Sequence, residues 1–165
     1  MGEPRHSKAY YAAVTPAGKP AHYNRKNWEN RDKFVNVTRK NVLRSNVLKN
    51  KGWIKGAYTN YKSPNQRQFH ADHQVAIKEA WQSGGFKWTP AQKKKFAHDV
   101  SNIVMSERQV NIAKGYKGID AWKPPHNVKK YLLRRESTKK KYNLTSSKKE
   151  VKVFTDIMGR KPNVN

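Results

Sequence analysis

Apolar positions along the chain form short periodic segments that polar stretches with glycine and proline separate. Residues 35–47 place valine and leucine close to helical spacing, and Gly52 follows, which predicts a short helix. Residues 53–69 mix aromatic and polar positions around one glycine and one proline, a pattern typical of short strands or an irregular hairpin. Residues 102–105 form a short apolar run suited to a strand.

Start and stop signals predict further helices in the second half of the chain. Thr89 followed by Pro90 is a good N-cap and first helical residue, so a helix is expected from Pro90 to about residue 98. Residues 75–81 predict the start of another helix, and residues 107–114 predict one that ends at Gly115.

Two basic helices are predicted near the C-terminal end. Residues 128–141 form one, and residues 146–158 form the other, with a capping box between Ser147 and Glu150 and a C-cap at Gly159. Helices and short strands together predict an α+β fold, mostly helical, over residues 36–165.

The N-terminal residues 1–35 lack a sustained apolar period and are rich in proline, glycine, lysine, asparagine and tyrosine. This composition predicts an extended basic arm that precedes the domain. Tyr10, Tyr11 and Tyr23 are its candidates for contact with nucleic acid.

The charge indicates the class of partner. Lysine and arginine number 36 against 11 aspartate and glutamate, for a formal net charge of +25, and the excess is larger in the two ends than in residues 57–122. Such a chain favours polyanions, above all nucleic acid. A protein that only coats a phosphate backbone explains the charge equally well.

The sequence has no cysteine, which excludes disulfides, thiolate metal sites and cysteine nucleophiles. No apolar run approaches the ~20 residues that span a bilayer, so no membrane partner is expected. The N-terminal residues do not resemble a signal peptide, and a cytoplasmic location in a bacterial cell is predicted.

Residues 70–114 carry the candidate chemistry. Asp72 and Asn111 are oxygen ligands suited to Mg²⁺, and His73 beside them can accept a proton from water. Asn111 and Lys114 share one face of the predicted helix. By residue type alone the signal is weak, because an Asp-His pair in a surface loop is common.

The order and spacing of motifs strengthen this interpretation. Over residues 40–158 the chain resembles a bacterial family of HNH (His-Me finger) nucleases with Asp-His-Val-Val-Pro-Leu, Asn-Leu, Asn-x-x-Lys-Gly and Trp-x-Pro-Pro motifs. The matching segments here are Gly56-Ala57-Tyr58-Thr59-Asn60-Tyr61, Asp72-His73-Gln74-Val75, Ala80-Trp81, Trp88-Thr89, Asn102-Ile103, Asn111-Ile112-Ala113-Lys114-Gly115, Trp122-Lys123-Pro124-Pro125 and Tyr142-Asn143-Leu144-Thr145.

The resemblance implies a domain built around a ββα-metal finger and a role for each matching residue. Asp72 and Asn111 would be metal ligands, His73 the general base, and Asn102 a tether that orients His73. Lys114 would hold the finger or contact phosphate. Such enzymes use Mg²⁺, or Mn²⁺ or another divalent ion, and leave a 5′-phosphate and a 3′-hydroxyl.

The chain departs from the family pattern at a few positions. Ala76-Ile77 replace the usual Pro-Leu, His98 replaces an asparagine, and His70 stands where an acidic residue is usual. His70 is a further candidate ligand, one that would favour Mn²⁺, Ni²⁺ or Zn²⁺. Arg108 is a further candidate site residue.

Two further groups of residues, one basic and one aromatic, have predicted roles. A dense cationic patch is expected to contact phosphate; it comprises Lys129, Lys130, Arg134, Arg135, Lys139, Lys140 and Lys141. Trp81, Trp88 and Trp122 are expected to pack in the core rather than to stack on bases.

The sequence thus predicts a metal-dependent endonuclease that binds DNA mainly through its phosphate backbone and nicks or cuts it. A non-catalytic basic DNA-binding protein and a nuclease toxin that also acts on RNA are the alternatives. The recognition sequence and the oligomeric state do not follow from the sequence.

Overall fold

The computed structural model describes Tyr23, Trp28 and residues 33–164, with side chains from residue 36 onward in the first helix. The fold is α+β, as predicted. Its helices and strands are, in chain order, α1 (Lys33–Lys49), β1 (Ile54–Lys55), β2 (Lys62–Ser63), β3 (Phe69–His73), α2 (Ile77–Gln82), α3 (Pro90–Ala97), β4 (Ile103–Glu107), α4 (Arg108–Lys114), α5 (Val128–Lys141) and α6 (Lys148–Met158).

Two antiparallel strand pairs organise the domain. β1 and β2 form the short irregular hairpin expected from residues 53–69. β3 pairs with β4 in a register that runs from Phe69 opposite Glu107 to His73 opposite Ile103. β4 leads directly into α4, so the end of β3 and the face of α4 are held on one rigid strand-strand-helix unit.

The hydrophobic residues pack into three clusters around this unit. One contains Trp81 and Phe96, the second Tyr58 and Tyr131, and the third Phe69 with partly buried side chains of α1. Burial of each such side chain contributes roughly 1.5–3 kcal/mol. β3 and β4 contribute to the second and third clusters, which leaves the strand pair little freedom to move.

The tryptophans of the motif segment pack as predicted. Trp81 is buried, Trp88 packs against Phe96 with ring centroids 5.3 Å apart, and Trp122 packs edge-on against Tyr58. Trp53, by contrast, is half exposed.

Two described residues of the predicted N-terminal arm pack on the domain. Trp28 is only 3% exposed and contacts Trp88 and Phe96, and Tyr23 packs edge-on against Trp81. A Cβ at Gly85 would lie 2.7 Å from the Trp28 ring, so this close approach requires glycine. Tyr10 and Tyr11 lie outside the described residues.

The local helix signals are confirmed. Thr89 with Gln92 and Ser147 with Glu150 both form complete capping boxes, at the start of α3 and of α6. Gly159 ends α6 in the left-handed conformation with φ 73°. α1 is longer than expected, with 17 residues.

A buried ion network joins α2, α5 and α6, and it contradicts part of the predicted cationic patch. Arg135 pairs with Glu79 and, at 3.2 Å, with Glu150, and Lys139 lies 3.1 Å from Glu150. Arg135 and Lys139 are each only 3% exposed. The prediction that these two residues contact phosphate is therefore wrong, because they lie on the inner face of α5.

Candidate active site

The structure brings Asp72, His73 and Asn111 to one cavity of about 370 Å³. Asp72 and His73 come from the end of β3, and Asn111 comes from α4. Arg39 and Lys78 also line this cavity, from α1 and α2. Residues separated by 39 positions in the sequence therefore share one site, because β3 pairs with β4 and α4 follows β4.

The ring of His73 is oriented by α3. Its Nε2 lies 2.8 Å from the carbonyl oxygen of Ala97, and its plane is close to parallel with that of Phe96, at 16°. A carbonyl oxygen only accepts hydrogen bonds, so Nε2 carries the proton and Nδ1 is the basic atom of the neutral ring. This arrangement suits a general base that acts through Nδ1.

The carboxylate of Asp72 is held from two sides. The Tyr58 hydroxyl donates to Oδ2 at 2.6 Å, and Lys114 Nζ lies 3.3 Å from Oδ1 and 3.2 Å from Oδ2. Burial and the charge of Asp72 raise the pKa of Tyr58 well above its usual value, so the phenol stays protonated and remains a donor.

Lys114 links the two motif residues. Besides its contact with Asp72 it donates to the main-chain carbonyl of His73 at 2.8 Å, and its side chain is fully buried. This geometry fits the first of the two roles predicted for Lys114, because its side chain holds the end of β3 and the helix α4 together. The other, a direct contact with phosphate, is wrong for a side chain with no exposed surface.

Asn102 fastens the segment that follows His73. Its amide nitrogen donates to the Val75 carbonyl at 3.0 Å, its side-chain oxygen accepts from the Val75 N–H at 2.9 Å, and its own carbonyl accepts from the Gln74 N–H at 2.8 Å. Asn102 is fully buried. Its hydrogen bonds hold the two residues after His73, whereas the contact to the His73 ring comes from Ala97.

His70 and Asn111 contact each other across β3 and α4. The amide nitrogen of Asn111 lies 3.1 Å from Nδ1 of His70. Since the amide N–H donates, Nδ1 of His70 accepts, and the ring is neutral in this arrangement. Burial, then the charges of Arg108 and Arg39, lower the pKa of His70. Arg108 is thus near enough for its charge to act on His70, but it does not line the cavity.

Two side chains that line the cavity carry oxygen donors of the kind that a hard divalent cation prefers. Asp72 offers carboxylate oxygen and Asn111 amide oxygen, the donors that Mg²⁺ accepts while it keeps several waters. His70 offers a nitrogen that would suit Mn²⁺ or Zn²⁺ better. Within the described residues there is no cluster of three or more histidine, aspartate or glutamate side chains arranged to hold a metal.

Sequence reasoning missed several parts of the site. Tyr58 lies 14 positions before Asp72, and although its segment belongs to the resemblance, no spacing rule connects a phenol there to the carboxylate. Nothing in the sequence distinguishes Arg39 and Lys78 from the many other cations of the chain. No sequence signal marks the carbonyl of Ala97 as a partner of His73.

The remaining predicted phosphate contacts lie at the surface. Lys129, Lys130, Lys140 and Lys141 are exposed, Arg134 is partly exposed, and Lys141 forms an ion pair with Asp99 at 2.6 Å. These five residues have the accessibility that contact with a polyanion requires.

Comparison with known proteins identified a partial relative. A segment of 56 residues, 33% of this chain, is 45% identical to an "Uncharacterized secreted protein" of Arthroderma benhamiae and spans 28% of that protein's length. No family model matches the chain. No solved structure matches it either.

This comparison corrects the predicted bacterial, cytoplasmic location, because the relative is a fungal protein named as secreted. The prediction was drawn from the N-terminal residues, which do not resemble a signal peptide. A chain without cysteine works equally in oxidising and reducing surroundings, so its composition does not determine its compartment. No helix in the described part of the chain has the length and apolar character that a membrane span needs.

Proposed function

We propose that the chain is a metal-dependent endonuclease of the HNH class that hydrolyses phosphodiester bonds of DNA, and that β3, β4 and α4 form its ββα-metal finger. One observation carries the proposal. His73, whose Nε2 donates to the Ala97 carbonyl so that Nδ1 is the basic atom of the neutral ring, shares one cavity with Asp72 and Asn111.

In the proposed reaction His73 Nδ1 accepts a proton from water as the water oxygen bonds to phosphorus. The bond from phosphorus to the 3′-oxygen breaks, the leaving oxygen takes a proton from solvent water, and the products are a 5′-phosphate and a 3′-hydroxyl. Asp72 and Asn111 would hold Mg²⁺, with Mn²⁺ as a substitute. The bound ion would supply positive charge next to the scissile phosphate and the leaving oxygen.

Other side chains position these groups and attract the substrate. Tyr58 and Lys114 hold the Asp72 carboxylate, and Asn102 holds the segment after His73. Arg39 and Lys78 line the cavity and would pair with phosphates on either side of the scissile one. The name of the fungal relative, an uncharacterized secreted protein, supports an extracellular place of action.

The test is conversion of supercoiled plasmid by the wild-type chain and by His73→Ala, with Mg²⁺, Mn²⁺ or EDTA. We expect open-circular or linear DNA with the metal ions and none with EDTA. His73→Ala should lower the rate by roughly 10²–10⁴-fold, the usual effect of losing a general base. His126→Ala is the matched control, because His126 is an exposed histidine outside the cavity.

Retardation of the plasmid without cleavage in every divalent ion would leave a non-catalytic DNA-binding protein as the better interpretation. Cleavage by His73→Ala at the wild-type rate would also contradict the proposal. A matched RNA substrate, run beside the DNA, decides whether the activity extends to RNA.

A further inference from the structure

A second, larger groove of about 870 Å³ lies between α1 and α5. Its basic side chains come from three elements that are distant in the sequence: Lys49 from α1, Lys55 from β1, and Lys130, Arg134 and Lys141 from α5. No aspartate or glutamate occurs among the described residues that line it. All the charged side chains among the described residues that line the groove are therefore cations.

Four of these five cations have no carboxylate partner among the residues that the structure describes. In the part of the chain that is described, no carboxylate lies within 4.0 Å of Lys49, Lys55, Lys130 or Arg134, whereas Lys141 pairs with Asp99. The charge of Arg134, burial, and the charges of Lys49 and Lys55 lower the pKa of Lys130. Folding thus brings like charges together, at an electrostatic cost that an anionic partner would relieve.

The groove adjoins the candidate active site. Thr38 and Arg39 of α1 line the cavity of that site, later residues of α1 line the groove, and Ile103 lines both. From Arg39 to Lys49 the helix rises by about 15 Å at 1.5 Å per residue. That length matches the rise of about four base pairs of duplex DNA.

We propose that this groove binds the phosphate backbone of nucleic acid on one side of the scissile phosphate, as an extension of the active site. The inference rests on the proposed function for the identity of the polyanion. Lys49, Lys55, Lys130 and Arg134 neutralise successive phosphates, and serines along the groove, Ser45, Ser101 and Ser137, supply neutral hydrogen bonds.

The experiment measures binding without cleavage. Fluorescence anisotropy of labelled duplex DNA, long enough to cover both cavities, is recorded in EDTA over a range of NaCl concentrations. The double variant Lys130→Gln with Arg134→Gln is compared with wild type and with Lys148→Gln plus Lys149→Gln. The control removes two exposed charges from α6, outside the groove.

Each lost phosphate contact should reduce the slope of log affinity against log salt by about 1, so the groove variant should lose about 2. The control should stay close to wild type. Equal losses in the two variants would overturn the inference, since affinity would then follow net charge rather than the groove. Thermal melting of each variant in parallel shows that it is folded.

Plasmid cleavage by the wild-type chain separates the two proposals. If the wild type cleaves the plasmid but the groove and control variants bind DNA alike, the groove proposal is wrong and the nuclease proposal stands. If the salt slope of the groove variant is reduced as expected but the wild type cleaves in no divalent ion, the nuclease proposal is wrong and the groove stands as a binding site.

Discussion

At the scale of single residues, buried polar groups connect the core to the candidate active site. Arg135 donates to the main-chain carbonyl of Gln74 at 2.9 Å and pairs with Glu79, so the ion network contacts the residue that follows His73. Burial opposes the charge of Arg135, but Glu79, Tyr131 and Glu150 outweigh it and hold its pKa well above the usual value. The Arg135 guanidinium therefore stays charged at all ordinary pH values.

Glu79→Gln should destabilise the fold strongly. The substitution leaves two buried cations, Arg135 and Lys139, with Glu150 as their shared carboxylate. Breaking such a buried pair costs about 3 kcal/mol in the free energy of unfolding, which urea denaturation measures. Asp156→Asn, which removes a carboxylate from an exposed pair with Lys152, should not change stability measurably. If Glu79→Gln unfolds with the same free energy as wild type, the buried ion network does not stabilise the fold.

At the scale of elements, side-chain contacts between helices set the placement of α3 and α5. Asp99, just after α3, accepts hydrogen bonds from Lys141 and Tyr142 at the end of α5. Burial alone would raise the pKa of Asp99, but the hydrogen bonds from Lys141, Ser101 and Tyr142 lower it to about 2. The ionised carboxylate is thus the form that joins the two helices.

The stability that Asp99 contributes should depend on pH in one direction. Its pKa in the folded state, about 2, lies below the ordinary value of 3.8, so the contribution is complete above about pH 4 and declines as the pH falls towards 2. Melting temperatures of wild type and Asp99→Asn should differ at neutral pH and converge near pH 2. A constant difference across this range would show that ionisation of Asp99 is not the cause.

At the scale of the whole molecule, the net charge of +25 opposes compaction. The buried pairs are balanced in charge, so most of the excess lies at the surface. The groove between α1 and α5 collects part of it. A folded state that carries this repulsion should respond to ionic strength.

The melting temperature should therefore rise as NaCl increases from low to physiological concentration, because salt screens the repulsion. Lys148→Glu with Lys149→Glu lowers the net charge, and its melting temperature should respond less to salt. Sucrose in place of NaCl is the non-ionic control for the screening effect. A melting temperature that falls with salt would show that exposed ion pairs outweigh the repulsion.

The sequence predicted Asp72, His73 and Asn111 as one site, because the family that the chain resembles places the matching residues on a ββα-metal finger. The cavity that they share agrees with that expectation. Tyr58 and Arg39 did not follow, since their contacts with the site depend on how distant segments pack.

Features that depend on neighbouring residues could be predicted from the sequence: the capping boxes at Thr89 and Ser147, the bounds of α5 and the α+β class. The burial of some cations of α5, and the position of others along the groove, could be seen only in the folded chain. α5 is basic on every side, and the inner positions of Arg135 and Lys139 are set by carboxylates on α2 and α6. The physical reason is that burial depends on contacts between distant segments, which local patterns do not encode.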